Sequence, residues 1–168
     1  MKCIKKLVAL TLAAVLALAM LTACGGTPSV PEATDATKQV VDNINAFRTE
    51  NGLSALKTTP EATDVVNKLA ALREKELLNL ISEEDYRAET SKLYAIRVDG
   101  KIFNGSMSVN SAVSCEECMT KDYCQKEYEG NNLKWIFGRI MRSSDLTYVA
   151  VANRKMSNGT FVIVVMAY

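Results

Sequence analysis

The sequence predicts an α+β domain in which a small antiparallel sheet packs between helices. Apolar residues recur at helical spacing through much of the first half of the chain, and residues 161–168 are almost all apolar. Such a run is expected of a central strand that is covered on both faces. Ser157-Asn158-Gly159 lies just before it and is a turn signal, which predicts that the last two strands form an antiparallel hairpin.

Two long helices and a shorter helical segment come first in the predicted order. The first spans about 36–51 and ends at Gly52, which favours the left-handed conformation of a helix cap. Thr59-Pro60 begins the second helix, and Ser82 caps the third segment. The predicted buried face of the second helix is formed by Ala62, Val65, Val66, Leu69 and Leu72.

The second half of the chain is predicted to contain a strand, two helices and the final hairpin. Weak alternation predicts the strand over 106–113, and Ser114 begins a capping box for a helix over about 115–128. Helical spacing returns over 133–141 after the break at 130–132. The two closing strands are predicted over 146–153 and 161–168.

The segment before the domain has the layout of an export signal. Residues 1–6 contain three lysines and no acid, and the 15 residues 7–21 are apolar apart from Thr11. A helix needs roughly 20 residues to span a bilayer, so this run is too short. Leu21-Thr22-Ala23-Cys24 resembles the lipobox of bacterial lipoproteins, and the alternative is an ordinary secretory signal with an incidental cysteine.

The lipobox resemblance implies a lipoprotein signal peptide over 1–23 and a lipid on the Cys24 thiol. Two acyl chains, with palmitate as an expected fatty acid, hold a protein stably on a membrane. We therefore expect this protein on the extracytoplasmic face of a bacterial cell membrane. Residues 24–36 are small, polar or proline, which predicts a flexible tether that holds the domain roughly 20 Å from the anchor.

Composition excludes several classes of function. Of 20 lysines and arginines, three precede Cys24, so the mature chain has 17 against 19 acidic residues and a net charge of −2. This balance argues against a nucleic-acid partner. The chain has no histidine, which removes Ser-His-Asp and Cys-His catalysis and every histidine-based zinc site. We expect no cofactor and no metal.

The domain resembles the CAP superfamily of cysteine-rich secretory, antigen 5 and pathogenesis-related-1 proteins. Arg97-x-Asp99-Gly100 is similar to the family's Arg-Pro-Asp-Gly segment, and the final hairpin resembles its last two strands. This resemblance implies a CAP-like domain over 37–168, built as a three-layer α-β-α sandwich with a central groove. The start of the CAP domain is similar to a pattern near the start of this domain, Asn45-x-x-Arg48-x-x-x-Gly52-Leu53-x-x-Leu56.

The chain departs from the family at the positions that hold a divalent metal in many members. The resemblance places Ala95 and Ile136 where histidines are expected, and Val109 where a glutamate is expected. These side chains cannot ligate a metal. We therefore expect a degenerate groove at Ala95, Val109 and Ile136 that binds by shape and apolar contact.

One group of closely spaced residues has side chains that could react or bind a metal, and it consists of Cys115, Cys118 and Cys124. A structural disulfide, buried or reduced thiols, a redox dithiol at Cys115 and Cys118, and a metal site are all open. Three thiolates lack the fourth ligand of a closed zinc site. A helix start capped by Ser114 favours a lowered thiol pKa at Cys115, whereas the neighbouring Glu116 and Glu117 carboxylates favour a raised one.

Two further groups of residues have a functional and a structural interpretation. Glu83-Glu84-Asp85 and Asp64 with Glu61 offer carboxylates to a hydrolase of wall polymers, or simply begin helices in water. Trp135 and Phe137 line a groove or belong to the core.

The sequence predicts a non-enzymatic module that binds a small apolar ligand or a cell-surface partner. The alternatives are a thiol redox protein and a wall-polymer hydrolase.

Overall fold

The structure is a computed structural model, and it describes residues 34–130 and 136–168. The predicted signal peptide, Cys24, most of the tether and Trp135 lie outside the described residues. Within them, no helix combines the length and the apolar character that spanning a membrane requires.

Three helices begin at side-chain caps. Helices α1 (Asp35–Glu50), α2 (Pro60–Leu77) and α3 (Glu83–Tyr94) start after Thr34, Thr59 and Ser82, whose side chains accept backbone N–H groups of the first turn. The starts of these three helices confirm the predictions to within one residue, and α1 also ends within one residue of its predicted end. Gly52, at a φ of 75°, follows α1 and allows the chain to turn away.

The predicted helix over 115–128 is wrong as one element, because the structure divides it. Helix α4 (Cys115–Cys118) ends after one turn, and α5 (Lys121–Glu129) begins after Thr120. The Thr120 hydroxyl accepts the N–H of Tyr123 at 3.4 Å, so a second cap competes with continuation of the helix. Helix α6 (Ile136–Arg142) follows.

Three antiparallel strands form one sheet. Strand β1 (Gly105–Ser111) and strand β2 (Val149–Lys155) both pair with β3 (Phe161–Ala167), which gives the order β1-β3-β2. The terminal apolar run is therefore the central strand, as predicted, and the closing hairpin is confirmed. Val165 pairs with Met107 on one side and with Val151 on the other.

The side chains of β3 alternate between two cores. Ile163, Val165 and Ala167 join a core built with α1, α4, α5 and α6. Val162, Val164 and Met166, together with Tyr168 just after the strand, join a second core built with α2. Helix α3 packs on α2, and its one buried residue is Thr90. The expected three-layer α-β-α sandwich with a small antiparallel sheet is thus confirmed.

Candidate functional site: a lysine-rimmed groove between two helices

A short connection places α3 beside α2. Residues 78–82 reverse the chain, and Asn79 adopts a φ of 55° in this turn. Helix α3 is mostly polar, so it cannot cover the outer side of α2 completely. A groove remains between the two helices.

This groove has an apolar floor and a charged rim. Its volume is about 430 Å³, which lies within the range of roughly 300–1,000 Å³ typical of small-molecule pockets. Leu72 and Ala71 of α2 and Leu93 of α3 form the floor. The rim consists of Lys68, Lys75, Glu89 and Lys92.

Two of the three rim lysines are paired with carboxylates on their own helices. The Lys68 ammonium lies 2.6 Å from Asp64, and the Lys92 ammonium lies 2.5 Å from Glu89. Both pairs are largely exposed and therefore weak. Lys75 takes part in none of the ion pairs among the described residues, so its ammonium is the rim cation best placed to meet an anionic ligand.

Sequence reasoning missed this groove. Leu72 was predicted on the buried face of the second helix, but it is half-buried and lines the groove. Lys68, Leu72 and Lys75 recur at helical spacing, which is a second stripe on α2 beside the one that covers the sheet. That stripe was the available signal, but its partner helix is decided by the packing.

The three degenerate groove positions lie elsewhere, in two different settings. Ile136 is buried beside Gly105, and the half-buried Val109 packs against the same core. Ala95 is exposed at the end of α3. The helix-helix groove contains none of these residues. The structure thus brings two of the three to one core and leaves the third at the surface.

Two residues of the pattern that resembles the start of the CAP domain, Asn45 and Arg48, have structural roles. Asn45 clamps the backbone of Leu56, because its amide donates to the Leu56 carbonyl at 2.9 Å and its oxygen accepts the Leu56 N–H at 2.7 Å. Arg48 is fully buried and donates to the carbonyls of Ser54, Ile140 and Ser143. Burial lowers the pKa of the Arg48 guanidinium, and Asp145 opposes that shift.

The Arg97-x-Asp99-Gly100 segment forms a tight turn. Asp99 has a φ of 50° and Gly100 a φ of 74°, and the Arg97 guanidinium donates to the Gly100 carbonyl at 3.0 Å. The Tyr148 hydroxyl donates to the Asp99 carboxylate at 2.6 Å. This turn is therefore fastened to the start of the closing hairpin.

The three cysteines lie on the α1 side of the sheet as free thiols. Cys115 and Cys124 are buried, and Cys118 is partly exposed. Burial raises the pKa of Cys115 and of Cys124 to about 11, and it also raises the pKa of Cys118. At Cys115 the effects that raise the pKa outweigh the helix dipole, with desolvation by burial as the largest cause and the Glu116 carboxylate as the next.

The remaining candidates are placed at helix starts or in the core. Glu83 is exposed and pairs with Arg87 at 2.5 Å, and Asp85 accepts from the Ser82 hydroxyl. These contacts agree with helix starts in water. Phe137 is fully buried and belongs to the core. Among the described residues, no group of three histidine, cysteine or carboxylate side chains is placed to hold a metal.

Comparisons with known proteins identify the fold but no close relative. No family model matches the chain, and no curated protein matches it. The structure is similar to venom allergen-like protein 4 from Schistosoma mansoni, with a TM-score of 0.55 and 11% identity over 80% of this chain and 88% of that chain.

Two bacterial structures also match, with lower TM-scores. An outer surface protein of Borrelia burgdorferi has a TM-score of 0.43 and 12% identity, over 82% of this chain and 94% of that one. An extracellular Bacillus anthracis protein containing an SCP domain has a TM-score of 0.39 and 14% identity, over 81% of this chain and 44% of that one. The sandwich, its sheet order and the similarity to the venom allergen-like protein together give this chain a CAP-like fold.

Proposed function

We propose that this protein is a lipid-anchored, extracytoplasmic CAP-like module that binds an amphiphilic ligand without catalysis. The observation that carries the proposal is the 430 Å³ groove between α2 and α3, with its apolar floor and lysine rim. The ligand has an apolar chain that covers Leu72 and Leu93 and an acidic head group that meets Lys75.

The residues that the family resemblance aligns with the metal ligands support a binding role rather than a hydrolytic one. Ala95, Val109 and Ile136 carry no group that ligates a metal or transfers a proton. The exposed Glu83 carboxylate is engaged with Arg87, which is an arrangement that stabilises a helix start. Affinity in the groove then comes from apolar burial and from attraction between unlike charges.

Calorimetric titration of the full chain, purified in detergent, with decanoate tests the ligand class. We expect saturable binding of one decanoate, and weaker binding of the uncharged 1-decanol. Leu72→Asp is expected to abolish binding, and Lys75→Gln to weaken it. Lys126→Gln, on the exposed surface of α5, is the matched control and leaves affinity unchanged. Equal affinity of the Leu72→Asp variant would contradict the groove assignment.

The same calorimeter tests the absence of the family's metal site. We expect no tight binding when zinc is titrated into the full chain. A stoichiometric zinc site of submicromolar affinity would overturn the non-catalytic part of the proposal, because a bound zinc ion activates water or polarises a substrate.

Fractionation of bacteria that express the chain tests the anchor at Cys24. Wild-type protein is expected in the membrane pellet, and the Cys24→Ser variant in the soluble extracytoplasmic fraction. Cys3→Ser is the matched control and does not change the distribution. A Cys24→Ser protein that still pellets with membranes would contradict a thiol-linked lipid.

A further inference from the structure

We propose that Cys115 and Cys118 form a reversible dithiol–disulfide pair that exchanges with low-molecular-weight disulfides, while Cys124 remains a thiol. The inference is independent of ligand binding in the helix-helix groove, which lies on the other side of the sheet. It resolves which two of the three cysteines react together.

The spacing within α4 places the two cysteines within one helical turn, so a bridge needs only a local tightening of that turn. Two residues three apart on an α-helix have Cα atoms about 5 Å from each other, as the helix radius and rise dictate. Disulfides join Cα atoms at roughly 4.4–6.8 Å. The Cys118 sulfur already turns back over this single turn, since it lies 3.9 Å from the Cys115 carbonyl oxygen.

Cys124 is separated from this pair by a fixed break in the chain. Helix α4 ends at Cys118, and Thr120 caps α5 as a separate element. Met119 between them is 1% exposed, and its carbonyl accepts the Asn43 side-chain amide of α1 at 3.3 Å. A bridge to Cys124 would require the backbone at Met119 to move and would strain this hydrogen bond. The pair within α4 therefore closes with less distortion of the backbone.

Exposure decides the order of the two exchange steps. Cys118 is partly exposed, whereas Cys115 is fully buried, so an external disulfide meets Cys118 first. The Cys118 thiol loses its proton to solvent, and its sulfur attacks one sulfur of the external disulfide and expels a thiolate. A mixed disulfide then joins Cys118 to the other half of the reagent.

Cys115 completes the exchange. Its thiol releases a proton, and its sulfur attacks the Cys118 sulfur and expels the second thiolate. The protein loses two electrons, and the external disulfide is reduced to two thiols that take up the two protons. The raised thiol pKa values make the exchange slow at neutral pH and faster as the pH rises.

Tryptic mass spectrometry of the full chain separates the alternatives cleanly. Cleavage after Lys101, Lys121 and Lys126 places Cys115 and Cys118 on peptide 102–121 and Cys124 on peptide 122–126. The protein is incubated with glutathione disulfide, denatured, alkylated and digested. We expect peptide 102–121 to become lighter by two hydrogen atoms and to resist alkylation, and peptide 122–126 to be alkylated once.

Two variants test the roles within the pair. Cys115→Ser is expected to retain glutathione on Cys118, because the second attack is lost. Cys118→Ser is expected to take up no glutathione and to leave Cys115 alkylatable after denaturation. Dithiothreitol is expected to restore two alkylatable thiols in the wild-type peptide 102–121.

Two results would overturn the proposal. One is a cross-link between peptides 102–121 and 122–126, which would assign Cys124 to the bridge. The other is complete alkylation of both thiols of peptide 102–121 after exposure to glutathione disulfide at pH 9. Neither result affects the decanoate titration, so failure of this inference and failure of the proposed function are distinguishable.

Discussion

The two sides of the sheet are covered in different ways. On the α1 side, four helices meet a core that includes Ile163 and Val165, and the buried Arg48 ties α1 to the carbonyls at the end of α6. On the α2 side, one helix covers the sheet, and α3 adds an outer layer in which Thr90 is the one buried residue. The α1 side is therefore closed, and the α2 side leaves a groove.

This difference separates stability from binding. A closed core with buried hydrogen bonds is costly to disturb, since each unpaired buried group loses its solvation without compensation. A mostly polar outer helix contributes little apolar burial, so the space beneath its edge is free for a ligand. Substitutions on the α1 side should change unfolding, and substitutions in the groove should change affinity.

Replacement of Arg48 should produce the largest effect. Arg48→Met keeps an apolar stem but leaves the carbonyls of Ser54, Ile140 and Ser143 without their donor, which should lower the free energy of unfolding by about 3–5 kcal/mol. Urea denaturation measures this change. The control Arg97→Met removes one exposed hydrogen bond and should cost less than about 1 kcal/mol. Equal costs would contradict a closed α1 side.

Two apolar residues of α2 allow stability and ligand binding to be compared within one helix. Val65 is buried against the sheet, so Val65→Ala should cost about 2 kcal/mol of unfolding free energy and leave decanoate affinity unchanged. Leu72 is half-buried in the groove, so Leu72→Ala should cost about 1 kcal/mol and weaken decanoate binding. Thermal unfolding and calorimetry measure the two quantities. Loss of binding in Val65→Ala alone would reverse the assignment.

The buried thiols on the α1 side should make the folded chain less stable at alkaline pH. Cys115 and Cys124 have a pKa of about 11 in the folded chain, against an ordinary thiol value of 9.0. Burial favours the neutral thiol in the native state, so the two buried thiols make their full contribution to the free energy of unfolding below pH 9. It is lost as the pH rises towards 11, where the unfolded chain ionises first.

The double variant Cys115→Ala/Cys124→Ala isolates this contribution. The urea midpoint of the wild type, measured under reducing conditions, should fall more steeply between pH 9 and pH 11 than that of the variant. The comparison uses the slope with pH, because the variant also loses packing at every pH. Parallel curves would show that these thiols ionise alike in the two states.

The smallest effect is expected at the surface of α3. Glu83 and Arg87 form an exposed pair at 2.5 Å, so Glu83→Gln should change the free energy of unfolding by less than about 0.5 kcal/mol. Decanoate affinity should be unchanged as well. Release of soluble fragments from wall polymers by the wild type, abolished in Glu83→Gln, would instead support the hydrolase alternative.

Local signals explain how much of the fold the sequence predicted. Thr34, Thr59 and Ser82 each bond a backbone N–H three residues away, and Gly159 turns the closing hairpin at a φ of 85°. Such contacts depend on residues that are close together in the chain, so they can be predicted from the sequence. The missed break at Thr120 is also local, because the Thr120 hydroxyl accepts the N–H of Tyr123 and begins a second helix.

The candidate site was predicted much less well, because its parts are distant in the sequence. Leu72 and Leu93 share a floor because the turn over 78–82 lays α3 along α2. Ala95 and Ile136, which the family resemblance placed together, lie at the surface and in the core respectively. No local pattern predicts which stripe of one helix will face which stripe of another.

The sequence by itself determined where α1 to α4 begin, which strand is central, and that histidine chemistry is absent, since caps, turns, periodicity and composition act within a few residues. The tertiary structure alone decided that the groove opens on the α2 side, that Arg48 is buried in hydrogen bonds to distant carbonyls, and that the cysteines have unequal exposure. These properties depend on how whole elements pack, because burial and pairing are set by neighbours that the chain brings together only when it folds.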